Sequence, residues 1–81
     1  MKETEAKKII ADEKLDRVNW YDEVNLRENQ VGIKYDNGEW VVFVTDERAN
    51  IVSGSIIKFS TEEDALDTLI RKARYNKKYV K

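Results

Sequence analysis

One stretch decides the fold of this chain: Val31-Gly32-Ile33-Lys34-Tyr35-Asp36-Asn37-Gly38-Glu39-Trp40-Val41-Val42-Phe43-Val44. Two β-prone runs flank an Asn-Gly pair, and these two residues best tolerate the positive φ angles of a type I′ turn. The stretch therefore predicts a β-hairpin. The two-residue turn also fixes the register, with Asp36 facing Glu39 and Val31 facing Val44.

This register sorts the hairpin side chains onto two faces. Because Phe43 faces Gly32, we expect its ring to cover the bare glycine. The second face then carries Gly32, Lys34, Val41 and Phe43. The first face carries the larger apolar set and is the expected core: Val31, Ile33, Tyr35, Trp40, Val42 and Val44.

The segments on either side of the hairpin complete the predicted fold. Thr4 to about Leu15 has a narrow apolar stripe typical of an amphipathic helix. Residues 17–29 have an irregular pattern, which predicts a connection with a helical turn as its only regular structure. A third strand is predicted to end at Phe59, and Ser60 or Thr61 can cap a helix that begins with carboxylates. The prediction is an α+β domain of order α-β-β-β-α, with both helices on one face of a three-stranded antiparallel sheet.

Composition excludes several classes of function. The 81 residues, 41% hydrophobic and 38% charged, suit one globular domain. With no cysteine and no histidine, the chain lacks the groups for disulfides, thiolate or Ser-His-Asp catalysis, and ordinary zinc sites. We therefore predict a protein that is not an enzyme, with no catalytic residues, metal or cofactor. No apolar run reaches the roughly 20 residues of a membrane span, and the start is unlike a signal peptide, so we expect a cytoplasmic protein without membrane contact.

Charge is unevenly distributed along the chain. Residues 71–81 carry six basic side chains and no acidic ones, whereas residues 60–70 carry four acidic and no basic ones. The basic end is interpreted as a helix C-terminus followed by a solvated tail, with nucleic-acid contact as the alternative. Seven scattered carboxylates form either a solvated surface or a recognition patch: Asp22, Glu23, Glu28, Asp36, Glu39, Asp46 and Glu47.

Residues 31–49 and 59–66 resemble a family of small immunity proteins from bacterial polymorphic or contact-dependent toxin systems. The resembling features are the Asn-Gly-x-Trp hairpin, the run Thr45-Asp46-Glu47-Arg48 that leaves its second strand, and the helix after Phe59. The resemblance implies a small α+β domain that binds and neutralises a co-encoded toxin without catalysis, and Trp40 would match the family's tryptophan. The N-terminal helix and Trp20-Tyr21 lie outside it.

An acidic patch would suit a toxin that is a nuclease with a basic active site. The predicted contacts are therefore Asp46, Glu47 and Arg48, with Asp22, Glu23 and Glu28 as further candidates. Arg48 could instead pair with Asp46 or Glu47. Trp20 and Tyr21 are either core residues or an aromatic contact for the partner. We expect a monomer or weak dimer.

Two other functions remain open from the sequence. A nucleic-acid-binding module would use the basic C-terminal helix and tail, and double-stranded RNA-binding domains share the α-β-β-β-α order. The Glu62-Glu63-Asp64 helix start would repel phosphate, so we expect no nucleic-acid partner. A structural adaptor would instead offer an open sheet edge to another strand.

Overall fold

A computed structural model describes residues 1–79 and confirms the α+β class. Two short 3-10 turns, Glu23–Asn25 and Ser53–Ser55, interrupt the connections between strands. The helices and strands in chain order are α1 Glu3–Asp12, β1 Val18–Trp20, β2 Val31–Asp36, β3 Glu39–Val44, β4 Ile57–Phe59 and α2 Glu62–Tyr79.

The hairpin formed by β2 and β3 has the predicted register, from Asp36 opposite Glu39 to Val31 opposite Val44. Asn37 and Gly38 have φ angles of 51° and 79°, as a type I′ turn requires. The Asn-Gly pair therefore sets the register as expected.

The sheet corrects the sequence prediction, because it has four strands in the order β1-β2-β3-β4 and is mixed rather than antiparallel. The added strand β1 runs parallel to β2, with Val18 opposite Val31, while β4 is antiparallel to β3. Residues 17–29 were interpreted as a connection because their pattern is irregular and because Asn19, Asn25 and Asn29 disfavour strands. In the fold, the Asn19 amide nitrogen donates to the Asp22 carbonyl at 2.9 Å, a hydrogen bond that offsets the low strand propensity.

Both helices contribute to one core with the first face of the sheet. Helix α2 begins after Thr61, whose hydroxyl accepts a hydrogen bond from the Asp64 amide at 3.3 Å, so the predicted cap is confirmed at Thr61. The core consists of buried side chains from both helices, from the segment after α1 and from the hairpin: Ala6, Leu15, Val31, Ile33, Val42, Ala65, Leu66, Leu69, Ile70 and Ala73.

The two helices lie side by side and run in the same direction. The amino group of Met1 lies 3.1 Å from the Asp67 carboxylate, and the Glu13 carboxylate accepts two hydrogen bonds from the Arg74 guanidinium, at 2.9 and 2.6 Å. The N-terminal end of α1 thus lies beside the first half of α2, and its C-terminal end beside the second half. Most of the basic C-terminal end, residues 71–79, is helical, and residues 80–81 lie outside the described part of the chain.

The second face of the sheet is also covered. Val41 and Phe43 are buried there, although the helices lie on the other side. Residues 22–30 cross this face and are held by two of its side chains, since Asn19 donates to Asp22 and the Thr45 hydroxyl donates to the Arg27 carbonyl at 2.6 Å. This crossing segment carries Val24, the most exposed large hydrophobic residue within residues 1–79.

Candidate functional site

The 3-10 turn after β1, which we call the acidic turn (residues 22–25), holds one apolar side chain out in solvent. Val24 is 89% exposed, more than any other large hydrophobic residue of the described chain. It lies between Glu23 and Asn25, and both charged neighbours, Asp22 and Glu23, are exposed. Val24 is therefore an apolar side chain beside two carboxylates that takes no part in the core.

Hydrogen bonds fix the acidic turn rigidly. The Asp22 amide donates to the Asn19 side-chain oxygen at 3.1 Å, and the Asn19 amide group donates back to the Asp22 carbonyl. The Asn25 backbone amide closes the turn on that carbonyl at 3.1 Å, while the Asn25 side chain donates to the Asp22 carboxylate. The predicted residue Glu23 lies 3.5 Å from the Lys34 ammonium. The turn is therefore ordered before any partner arrives.

The predicted loop Asp46–Arg48 is organised around one carboxylate. An oxygen of Asp46 accepts hydrogen bonds from the backbone amides of Arg48, at 2.8 Å, and Asn50, at 3.0 Å. These two bonds, the one from Asn50 first, hold the pKa of Asp46 below its usual range. Asp46 therefore shapes the loop, while Glu47 and Arg48 are exposed. Within residues 1–79, no ion pair joins Arg48 to a carboxylate.

The structure divides the predicted contact residues into two groups. The Asn29 amide donates to the Asp46 carbonyl at 3.0 Å, so Glu28 lies beside the Asp46–Arg48 loop. Asp22 and Glu23 lie at the other end of the crossing segment, near Lys34. The helical turn predicted within residues 17–29 is confirmed as the 3-10 turn Glu23–Asn25, but sequence reasoning did not select Val24, because no local signal marks it as exposed.

Trp20 and Tyr21 connect β1 to both helices. Their rings meet edge to face with centroids 5.5 Å apart, and the Lys7 ammonium lies 5.4 Å from the centre of the Trp20 ring. The Tyr21 hydroxyl donates to the Glu62 carboxylate at the start of α2. Burial, followed by this carboxylate, raises the pKa of the Tyr21 phenol. Both residues are half-buried, and their contact with a partner stays a prediction.

Two of the basic residues of α2 contact the end of α1. Arg74 binds the Glu13 carboxylate and holds the pKa of that group below its usual range. The Lys77 ammonium donates to the backbone carbonyls of Glu13 and Lys14. Arg74 and Lys77 therefore join the helices, and Arg71, Lys72 and Lys78 form no ion pair within residues 1–79.

Across residues 1–79, no three potential ligand side chains gather in a group that could hold a metal ion. Neither helix in that range has the length and apolar character needed to cross a membrane. Comparisons with protein-family models, curated proteins and solved structures found no match to this chain. Function is therefore inferred from the acidic turn, the Asp46–Arg48 loop and the basic half of α2.

Proposed function

We propose that this protein is an immunity protein that binds a cognate bacterial toxin in the cytoplasm and neutralises it without catalysis. The main support is the acidic turn, in which the 89% exposed Val24 lies beside two exposed carboxylates. In the complex, the toxin buries this apolar side chain, which the turn already holds in place. The free protein is a monomer or a weak dimer, and the complex contains one copy of each protein.

The rigidity of the turn favours tight binding. Ordering a loop on association costs roughly 0.5–1.5 kcal/mol for each side chain that becomes fixed, and this turn is already held by Asn19 and Asn25. Asp22 and Glu23 add negative charge around Val24, which speeds encounter with a basic partner surface. A toxin that is a nuclease has such a surface where it binds phosphate. The acidic turn is thus suited to cover a basic active site or its rim.

The loop Asp46–Arg48, with Glu28 beside it, is the second candidate contact. Glu47 and Arg48 are exposed, and the Asp46 carboxylate fixes the backbone that carries them. Because this group and the acidic turn lie at opposite ends of residues 22–30, separate charge reversals distinguish them. Reversal at the true contact weakens binding, and reversal at the other group leaves it nearly unchanged.

The experiment is a protection assay with the product of the neighbouring gene. Cells that express the toxin domain should survive when the wild-type protein is co-expressed and die when it is absent. The pair Asp22→Lys/Glu23→Lys should lose protection, whereas the matched reversal Asp12→Lys/Asp16→Lys, at exposed positions at the end of α1 and just after it, should retain it. A neighbouring gene product that is not toxic, or that kills cells despite the wild-type protein, would rule the proposal out.

A nucleic-acid-binding module is the second candidate function. Tyr75 and Tyr79 are exposed and their ring centroids lie 4.6 Å apart, on a helix end that also carries Lys78. Aromatic and basic side chains together can bind single strands. Against this, Arg74 and Lys77 are already engaged by α1. Binding of an RNA or DNA oligonucleotide that falls steeply with salt and disappears when Arg71, Lys72 and Lys78 are neutralised would favour this function.

A further inference from the structure

A groove runs between the C-terminal half of α2 and the end of the sheet where β2 begins and β3 ends. Its volume is about 530 Å³, within the range of roughly 300–1,000 Å³ that is typical of ligand sites. Val31 and Val44 line it from the sheet, and Tyr75 lines it from the helix. The groove lies on the helix face of the sheet, whereas the acidic turn belongs to the segment that crosses the opposite face.

The groove combines an apolar lining with positive charge. Arg71 and Lys72 lie along its helix side, and none of its lining residues is acidic. Asp46 follows the lining residue Thr45 in sequence, but its carboxylate accepts a hydrogen bond from the Arg48 amide in its own loop. Among residues 1–79, the polar contact of the Arg71 guanidinium is the Thr68 hydroxyl at 3.5 Å, and no carboxylate pairs with Lys72. A ligand with negative charge beside an apolar group would satisfy both features.

The sheet end of the groove is held in a fixed shape. Asn76 is buried and donates a hydrogen bond to the Asn29 carbonyl at 2.7 Å, which ties α2 to the start of β2. Asn29 itself has a φ of 52°, a left-handed conformation that Asn tolerates well. Two further hydrogen bonds join Gln30 and Thr45 across the sheet end. The Thr45 amide donates to the Gln30 carbonyl, and the Gln30 amide donates to the Thr45 hydroxyl, each at 2.8 Å. The groove is therefore a formed feature and not a gap between loose elements.

We propose that this groove binds an acidic peptide segment of a protein partner, with one bulky apolar side chain of the segment inserted between Val44 and Tyr75 and its carboxylates beside Arg71 and Lys72. A nucleic acid fits less well, because its phosphates would need a longer basic track than two adjacent cations supply, and Arg74 and Lys77 are turned to α1. The site is independent of the proposed toxin contact. A basic partner at the acidic turn and an acidic segment in the groove can be bound at the same time.

The test is selection of random twelve-residue peptides displayed on phage against the full chain. Selected peptides should share one bulky apolar residue with at least two Asp or Glu. Their affinity should fall about tenfold for Arg71→Glu/Lys72→Glu, since two attractive charge pairs with the peptide become repulsive. The double reversal Lys8→Glu/Lys58→Glu, at exposed positions outside the groove, should leave affinity unchanged. Tyr75 is 64% exposed, so Tyr75→Ala should weaken binding while leaving the thermal midpoint unaltered.

Three results would overturn this proposal. The first is a selection that yields no peptide, or peptides without acidic residues. The second is equal peptide affinity for the wild type and for Arg71→Glu/Lys72→Glu, when the amide chemical shifts that change on peptide binding belong to residues far from Thr45 and Tyr75. The third is an oligothymidylate of ten nucleotides that binds with the same dependence on Arg71 and Lys72 while acidic peptides do not. Because the readouts involve no toxin, their failure leaves the proposed immunity function untouched.

Discussion

The ring of Phe43 lies against the backbone of Gly32 on the neighbouring strand. A Cβ atom added to Gly32 would lie 2.3 Å from the ring atom Cζ, far inside van der Waals contact. Phe43 is fully buried, on the face of the sheet away from the helices. The second face thus has a small core of its own, and the ring occupies the space that a side chain at Gly32 would need.

We expect Gly32→Ala to lower the free energy of unfolding by about 1–3 kcal/mol, because the methyl group overpacks a site that the ring already fills. Chemical denaturation at neutral pH measures this change. Gly54→Ala is the matched control, since a Cβ at Gly54 would meet no atom within 4 Å, and it should change stability by no more than about 0.5 kcal/mol.

Replacing the Phe43 ring by a smaller side chain should make room for a methyl group at residue 32. In a Phe43→Leu background, Gly32→Ala should cost less than in the wild type, since the two residues are in contact and their effects do not add. Equal costs for Gly32→Ala and Gly54→Ala in the wild-type chain would show that the ring is not packed on Gly32.

Thr45 holds the crossing segment to the sheet. Its hydroxyl accepts from the Gln30 amide at 2.8 Å and donates to the Arg27 carbonyl at 2.6 Å, and its side chain is buried. Thr45→Val keeps the shape but leaves both backbone groups without their partner, at a cost of about 1–3 kcal/mol. Thr45→Ser retains the hydroxyl and should recover most of the loss. Thermal or denaturant unfolding of both variants checks this, and a loss as large in Thr45→Ser as in Thr45→Val would contradict it.

Ala49 has a φ of 63°, in the left-handed region that costs a residue with a Cβ roughly 1–2 kcal/mol. Ala49→Gly removes this steric cost, although glycine loses more backbone entropy on folding than alanine does. The net result should be a rise in the free energy of unfolding of up to about 1 kcal/mol. The same change at the exposed helical residue Ala11 should instead lower stability, by up to about 1 kcal/mol. Denaturation curves that moved in the same direction for both variants would argue against the left-handed loop.

Stability should fall as the solution is acidified, through Glu13 and Asp46. In the folded state, the Arg74 guanidinium lowers the pKa of Glu13, and the backbone amides of Asn50 and Arg48 lower the pKa of Asp46. A carboxyl with a lowered folded pKa stabilises the fold above its unfolded pKa, of about 4 for these groups, and this stabilisation is lost as pH falls through the folded value. Unfolding measured from pH 6 to pH 2 should lose less stability in Glu13→Gln/Asp46→Asn than in the wild type. An unchanged pH dependence in the double variant would contradict the assignment.

The sequence predicted the elements whose causes are local. Asn37-Gly38 determined the hairpin register, and Thr61 the start of α2. Strand β1 was missed because three residues that include Asn19 carry no strand pattern, and their pairing with β2 depends on residues further along the chain. The Asn19 side chain compensates through contacts that only the fold brings together.

The candidate site was predicted in its residue types more than in its arrangement. The carboxylates Asp22 and Glu23 were proposed from charge alone, and they belong to the acidic turn, where the exposure of Val24 depends on the path of the crossing segment. Asp46 was proposed as a contact, and its carboxylate is hydrogen-bonded to its own loop. Charge composition does not distinguish a carboxylate that faces solvent from one that binds backbone amides, because both occur in polar loops.

The most direct test of the proposed function is the affinity of the purified protein for the product of the neighbouring gene, measured by titration calorimetry. The wild type should form a one-to-one complex, and Val24→Ala should weaken it about tenfold, as truncation of a central contact residue does. Tyr79→Ala, at an exposed position at the far end of α2, should bind as the wild type does. Absence of binding by the wild type, or equal affinity of the wild type and Val24→Ala, would contradict the proposed function.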